Sequence, residues 1–300
     1  MDFERLDFAR KAEIDALTAR YGEGSCQHSF VAMYTLQEKY GDAACLADGT
    51  LYVRREKLCT DELSVYLMPL GEADPARSVG QLLEDAHARG TRLRFFTATE
   101  RAAETLRRAF PGRFAYEEER DYAEYFLLTQ KLAELPKAEL FGKRRSVRRF
   151  FRDCPGTPSI TDLTADDLDD VLSFHRAWVA ENMESHDAES LLRETRAVQL
   201  QLEHFAQLRL RGLCVRVDGA VRGYCYGNAL SEEVFDGIAM KGDRSVPNIN
   251  ALMYHELGKR CGCRYLNAEE DLGIPGLRES KLSYKPERLL KKFVVTEVDA

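Results

Sequence analysis

The chain is 300 residues long, enough for two domains, and its 44% hydrophobic residues can bury a sizeable core. Its 50 acids against 43 bases leave a net charge of -7, which excludes a general nucleic-acid coat but permits a local basic patch. No stretch approaches the roughly 20 apolar residues of a membrane span, the start lacks a signal-type apolar core, and the eight scattered cysteines suit neither a disulfide framework nor a zinc site. A cytoplasmic chain with reduced, structural thiols is expected.

Phe3 to Phe8 reads as an opening strand, and Arg10 to Tyr21 as an amphipathic helix with Ile14 and Leu17 turned inward. Ser29 to Tyr40 reads as a second helix, rich in aromatics. Strands are expected at Thr50 to Arg54, Ser64 to Met68 and Arg92 to Phe96. Helices are expected at Arg77 to Arg89 and at Glu100 to Phe110, the second stopped by Pro111-Gly112. Ala123 to Lys131 closes this half as a strand. The order makes an α/β lobe, and nothing in it pairs a nucleophile with a base.

Pro136 to Asp153 is a basic amphipathic helix. Leu140, Val147 and Phe151 recur at helical spacing with Phe150 beside them, while Lys143, Arg144, Arg145, Arg148, Arg149 and Arg152 put six cations in ten residues. Two accounts stay open. The helix is a linker whose arginines pair with acids, or it faces the phosphates of a tRNA end, a phospholipid head group or a nucleotide. Cys154-Pro155-Gly156-Thr157-Pro158 then breaks it. The expected division is a lobe at 1–135, a basic linker at 136–156 and a second lobe at 157–300 carrying the active site.

Ser159 to Leu163 is a strand, and Thr164 caps a helix from Asp166 to Glu181 that holds Trp178 as a core residue. Ser190 to Arg211 is a second helix. LCVRV, Asp218-Gly219 and AVRGYCYG form a hairpin. Glu233 to Lys241 is a strand, and the loop Gly242 to Asn248 leads into a helix from Ile249 to Arg260. His175 and His255 read as helix-face residues without a catalytic role. From Cys263 to Pro286 come a strand (Arg264 to Asn267), the acids Glu269, Glu270 and Asp271, a Gly-Ile-Pro-Gly turn and a helical segment carrying Lys281 and Tyr284. Adjacent acids repel, so this triplet calls for cations or a ligand nearby. Leu289 to Val298 ends the chain as a strand.

This order of elements resembles the acyl-CoA N-acyltransferase (GNAT) fold, in which the loop before the fourth-strand helix cradles a pyrophosphate on backbone N–H groups. Lys241 and Arg244 would add charge there, and Asn248 stands at an N-cap or amide-ligand position. KGDRSVPN nevertheless lacks the Arg/Gln-x-x-Gly-x-Gly/Ala signature of acetyl-CoA enzymes, and Pro247 removes an amide donor.

More specifically, KRRSVRRF, VDGAVRGY, IAMKGDRSVPNINALMYHEL and YLNAEEDLGIPGLRESKLSYKPERLLKKF resemble a bacterial domain-of-unknown-function family similar to the C-terminal catalytic domain of phosphatidylglycerol lysyltransferase. The resemblance implies an α/β (α+β) fold of two tandem GNAT-like lobes, each a mixed sheet flanked by helices. It further implies transfer of an aminoacyl group from aminoacyl-tRNA to a small-molecule, lipid head-group or peptide acceptor, with no cofactor required.

Such a transfer needs a base, donors for the oxyanion and an acid for the leaving group. Glu269, Glu270 and Asp271 suit the base and a holder for the donor's α-ammonium. Tyr284 suits the acid, and Lys281, with Lys241 and Arg244, suits the donor phosphate or the oxyanion. Lys143, Arg144, Arg145, Arg148 and Arg149 would meet the nucleic acid. The competing readings are an acyl-CoA-dependent N-acyltransferase with a degenerate loop, and a retired transferase serving as a tRNA- or partner-binding module.

Overall fold

The computed structural model describes residues 1–183 and 188–298. Contacts divide the chain into two units. Unit 1 comprises Met1–Glu124, Glu270–Ile274 and the chain from Leu289, and unit 2 comprises Tyr125–Glu269 and Pro275–Arg288. The lobes drawn from sequence follow chain order; these units do not, because the chain passes between them more than once.

In order come β1 (Glu4–Arg5), α1 (Lys11–Tyr21), α2 (Phe30–Thr35), α3 (Gln37–Tyr40), β2 (Asp42–Ala47), β3 (Thr50–Arg55), β4 (Leu63–Tyr66), β5 (Leu70–Gly71), α4 (Pro75–Ala88), β6 (Arg92–Thr99), α5 (Glu100–Ala109) and β7 (Phe114–Glu118). Then follow β8 (Glu124–Leu128), α6 (Thr129–Glu134), α7 (Lys137–Asp153), β9 (Pro158–Asp162), α8 (Leu168–Asn182), α9 (Ala188–Glu203), β10 (Arg211–Val217), β11 (Ala220–Ala229), β12 (Val234–Gly242) and α10 (Ile249–Arg260). Last come β13 (Tyr265–Glu270), α11 (Pro275–Leu282), β14 (Arg288–Leu290) and β15 (Lys292–Glu297).

The unit 1 sheet runs β1-β2-β3-β4-β6-β15-β7, with β5 beside β3. β4 and β6 are parallel and joined through α4, whereas β15 lies antiparallel to both β6 and β7. Its helices start where the chain can satisfy their first amides. Asp74 caps α4 by accepting from the Arg77 N–H, with Pro75 in the first turn, and Thr99 caps α5 by accepting from the Ala102 N–H. Each cap is worth about 1 kcal/mol. Val79, Leu82, Leu83, Ala103 and Leu106 of these helices pack on Leu93, Phe95, Phe293 and Val295 of the sheet.

The unit 2 sheet runs β14-β8-β13-β12-β11-β10-β9. β12 and β13 are parallel, with Asp236 opposite Asn267, and α10 connects them. Asp218 (φ 50) and Gly219 (φ 82) turn the β10–β11 hairpin as expected. The Thr164–Asp167 capping box starts the segment that leads into α8.

Several local expectations need correcting. Phe3 to Phe8 forms only a two-residue strand before a short 3-10 turn, and Leu36 (φ -98, ψ 26) interrupts the helix from Ser29. β2 and β7 were not foreseen. The segment Ala123 to Lys131 is a strand only to Leu128, and its sheet is that of unit 2. α9 ends at Glu203, well short of Arg211, and the closing strand breaks at Lys291. In α7 the dry stripe is Leu140, Val147 and Phe150. Phe151 is 55% exposed and Phe150 takes the inward position; the helix is kinked upstream at Leu140 (φ -121). Trp178 is half-buried rather than core.

Candidate active site

The three acids end β13. Glu269 adopts a left-handed backbone (φ 54), an uncommon state for a residue with a side chain, and its N–H donates to Asn267 Oδ1 at 2.9 Å. The chain passes from unit 2 to unit 1 between Glu269 and Glu270, so each acid is described with its own unit. Asp271 is fully buried. It accepts from the Gly273 N–H at 2.9 Å and from Arg120 at 3.1 Å, which commits it to the turn.

In unit 1, the half-buried Glu270 is held from one side. Gln27 Nε2 donates to its Oε1 at 2.9 Å, and the Cys26 thiol donates to its Oε2 at 3.4 Å. A thiol from the first half and a carboxylate from the second are therefore paired, a contact that the sequence reading did not anticipate. Gln27 in turn accepts from Arg55 at 2.9 Å through Oε1. Arg55 is buried, its guanidinium 3.9 Å from the Tyr40 ring centroid and 5.3 Å from that of Phe96, with Nε 3.4 Å from Asp42. That last contact is an ion pair without hydrogen-bond alignment. Burial, opposed by Arg55, pushes the Asp42 carboxyl up to about 6. It also raises the Tyr40 phenol, with the Glu270 charge adding.

Behind the same turn, Lys292 and Glu124 form a fully buried ion pair at 2.5 Å. Lys292 also donates to Ser25 Oγ at 2.6 Å, Ser25 donates to Glu124 at 2.7 Å, and the Cys26 N–H donates to Glu124 at 3.0 Å. The Ser25–Gln27 turn is thus pinned by buried charge. Sequence reasoning missed Ser25, Cys26, Gln27, Arg55 and Lys292; the only available signal was the small polar run before the aromatic helix.

In unit 2, Tyr284 lies just beyond α11 rather than within it, almost wholly buried, with its ring 4.3 Å from that of Tyr254. Burial and then Tyr254 raise its phenol far above the ordinary value, so the hydroxyl keeps its proton. Burial also raises Tyr254, and the Glu269 charge contributes. Lys143 Nζ stands 3.8 Å over the Tyr284 ring and its pKa is lowered by desolvation. Lys281 is buried, 5.7 Å from the Tyr125 ring centroid. Lys143 therefore turns inward, away from the role expected of it on the basic surface.

The β12–α10 loop answers its own charges. Lys241 pairs with Glu194 at 2.8 Å and lies 4.4 Å over the Trp178 ring, whose Nε1 donates to the Gly242 carbonyl at 3.2 Å. Asp243 accepts from the Ser245 N–H at 2.8 Å and from Arg222 at 3.0 Å. Arg244 is exposed, and Asn248, at the N-cap with φ 65, makes no side-chain cap. At Gly242, the last residue of β12, a Cβ would lie 2.6 Å from the Ile249 side chain, so a larger residue there would have to displace that side chain.

Along α7, Arg145 and Arg148 are exposed, and Arg144 donates to the Leu135 carbonyl at 3.4 Å. Among the described residues, none of Lys143, Arg144, Arg145, Arg148 and Arg149 forms an ion pair, whereas Arg152 pairs with Asp153 at 2.6 Å. His175, expected on a helix face, is fully buried between the Tyr224 hydroxyl (2.8 Å) and Thr195 (3.3 Å), and burial lowers it to about 4. His255 Nδ1 donates to the Leu132 carbonyl at 2.8 Å.

Each of the two mixed sheets holds a parallel strand pair joined through a helix, the arrangement of a tandem GNAT-like α/β fold. Residues 18–296 match the family described as phosphatidylglycerol lysyltransferase, C-terminal, and the chain belongs to it.

Among solved structures, a conserved protein of unknown function from Bacteroides thetaiotaomicron is 27% identical over 99% of this chain and 100% of its own, with a TM-score of 0.92. The C-terminal domain of a putative lysylphosphatidylglycerol synthetase from Agrobacterium fabrum is 12% identical, covering 98% and 93%, with a TM-score of 0.70. L-PGS from Bacillus licheniformis is 13% identical, covering 99% and 94%, at 0.68. These last two share the fold. No curated protein matches the chain. Among the described residues, no helix is long and apolar enough to cross a membrane.

Proposed function

We propose that the chain moves an aminoacyl group from aminoacyl-tRNA to an amine or hydroxyl acceptor. The observation that carries the choice of donor is the β12–α10 loop. Its lysine is neutralised by Glu194 and one of its amides is taken by Asp243, which leaves little for the pyrophosphate of an acyl-CoA. Family membership supports the reaction class.

In unit 2, Glu269 takes the acceptor's proton as the acceptor attacks the ester carbonyl, and Lys281 stabilises the oxyanion. The bond to the ribose oxygen then breaks as Tyr284 supplies the proton. In unit 1, Glu270 holds the donor's α-ammonium. Arg244 and Asn248 are left for the donor's terminal phosphates, and the outward arginines of α7 for the rest of the RNA. The acceptor is a lipid head group, a peptide or a small molecule.

The test is transfer of radiolabelled amino acids from a charged tRNA pool to extracted lipids, peptides and polyamines, run beside acyl-CoAs. Lys281→Ala should cut transfer at least about a hundredfold, the size of an oxyanion donor's contribution. Turnover with acyl-CoA alone would replace this reading by the N-acyltransferase.

A further inference from the structure

We propose that Gln27 and Arg55 are positioning residues that orient the Glu270 carboxylate, a role that rests on the assignment of Glu270 to the donor's ammonium. The reason lies in the polarity of a side-chain amide. A guanidinium only donates hydrogen bonds and an ionised carboxylate only accepts them. Gln27 lies between one of each, with Oε1 2.9 Å from Arg55 and Nε2 2.9 Å from Glu270. Turning the amide over would set carbonyl against carboxylate and NH2 against guanidinium, two repulsive contacts in place of two attractive ones. The orientation of Gln27 is therefore dictated by Arg55.

Arg55 cannot follow a moving partner. It is 1% exposed, lies against the Tyr40 and Phe96 rings, and has Asp42 beside its Nε. Phe96 is itself set by a β-bulge, where β6 and β15 slip register next to Thr97, a β-branched residue at φ 61. Oε1 of Glu270 is thus tied through one amide to a buried anchor, while Cys26 steadies Oε2. A bond kept only for stability would not need to end on a half-buried carboxylate at the end of the acid-bearing strand.

Gln27→Glu separates the two roles. It keeps the acceptor that Arg55 needs and strengthens that pair, but replaces the donor facing Glu270 by a like charge. A merely structural role predicts a stable protein with Glu270 in place. The positioning role predicts a melting temperature near wild type, a crystal structure with Glu270 swung off its present rotamer, and a donor KM raised at least about tenfold with kcat held within about twofold, as for lost uniform binding. Adding Glu270→Gln restores a donor opposite the new carboxylate, so this side chain should return to its original position. Should Gln27→Glu not fold, Gln27→Met keeps the shape, lacks the donor, and is expected to release Glu270 in the same way.

Glu270 unmoved in a folded variant overturns the proposal. A displaced Glu270 in a protein whose wild type never uses aminoacyl-tRNA upholds the positioning and removes the ammonium assignment instead.

Discussion

Lys292 and Glu124 show what single residues contribute in unit 1. Taking two charges fully out of water costs several kcal/mol, repaid only by their attraction and by the hydrogen bonds of Ser25 and the Cys26 amide. Lys292→Met leaves an uncompensated buried carboxylate and is expected to cost about 3–5 kcal/mol in denaturant unfolding. The double variant with Glu124→Leu should recover most of that loss; a double variant as unstable as the single one would argue against the pairing.

The buried histidines set a pH dependence. His28 and His175 are each lowered to about 4 by burial, so between there and the unfolded value near 6.5 the native state binds fewer protons. Their contribution is complete above pH 6.5 and is lost as pH falls toward 4. Asp42, pushed up to about 6, works the other way, since its neutral form favours the native state and that advantage fades as pH rises through 6. Two histidines outweigh one aspartate, so the denaturation midpoint should fall between pH 6.5 and 4.5. His175→Gln should flatten that slope; an unchanged slope would contradict the assignment.

At the scale of elements, α7 displays Arg145 and Arg148 without an ion pair among the described residues, while Arg152 pairs with Asp153 at 2.6 Å, on a chain of net charge -7. The proposed role for these cations is to face the phosphates of the donor RNA, which would make binding salt-dependent. Reversing Arg145 and Arg148 to Glu should weaken tRNA binding and lower the salt slope by about one per residue, with stability unchanged. Fluorescence anisotropy across a salt series reads this directly; an unchanged slope would move the RNA contact elsewhere.

The elements also differed in legibility. Helical periodicity located α1, α4, α5, α7 and α10 to within a few residues. β2 was missed although Asp48-Gly49 (φ 49 and 68) turns the β2–β3 hairpin much as Asp218-Gly219 turns the later one, because the small side chains of DAACLA hide the strand signal. β7 was missed because FAYEE is mostly exposed and charged, as suits an edge that pairs with β15 alone.

For the whole molecule, the decisive feature is that chain order and spatial order part company. β15, from the C-terminal end, lies between β6 and β7 in the sheet of unit 1. Deleting residues 289–298 would expose two strand edges and remove Phe293 and Val295 from the core. The truncated chain is expected to lose the cooperative unfolding of unit 1 and to become protease-sensitive there; a truncated chain with native circular dichroism and intact protection would refute this.

By itself, the sequence determined what local physics controls: the mixed α/β class, the helix starts, the second hairpin, the acid-bearing strand end and the basic helix. Those features depend on periodicity, caps and turn chemistry within about ten residues. Only the tertiary structure decided which acid is tied into a turn and which is held by an amide. Gln27 and Glu270 are 243 positions apart, and nothing in either neighbourhood encodes a meeting that depends on strand order. The same holds for Lys292 and Glu124, which lie far apart in the chain and meet as a buried ion pair only in the folded protein.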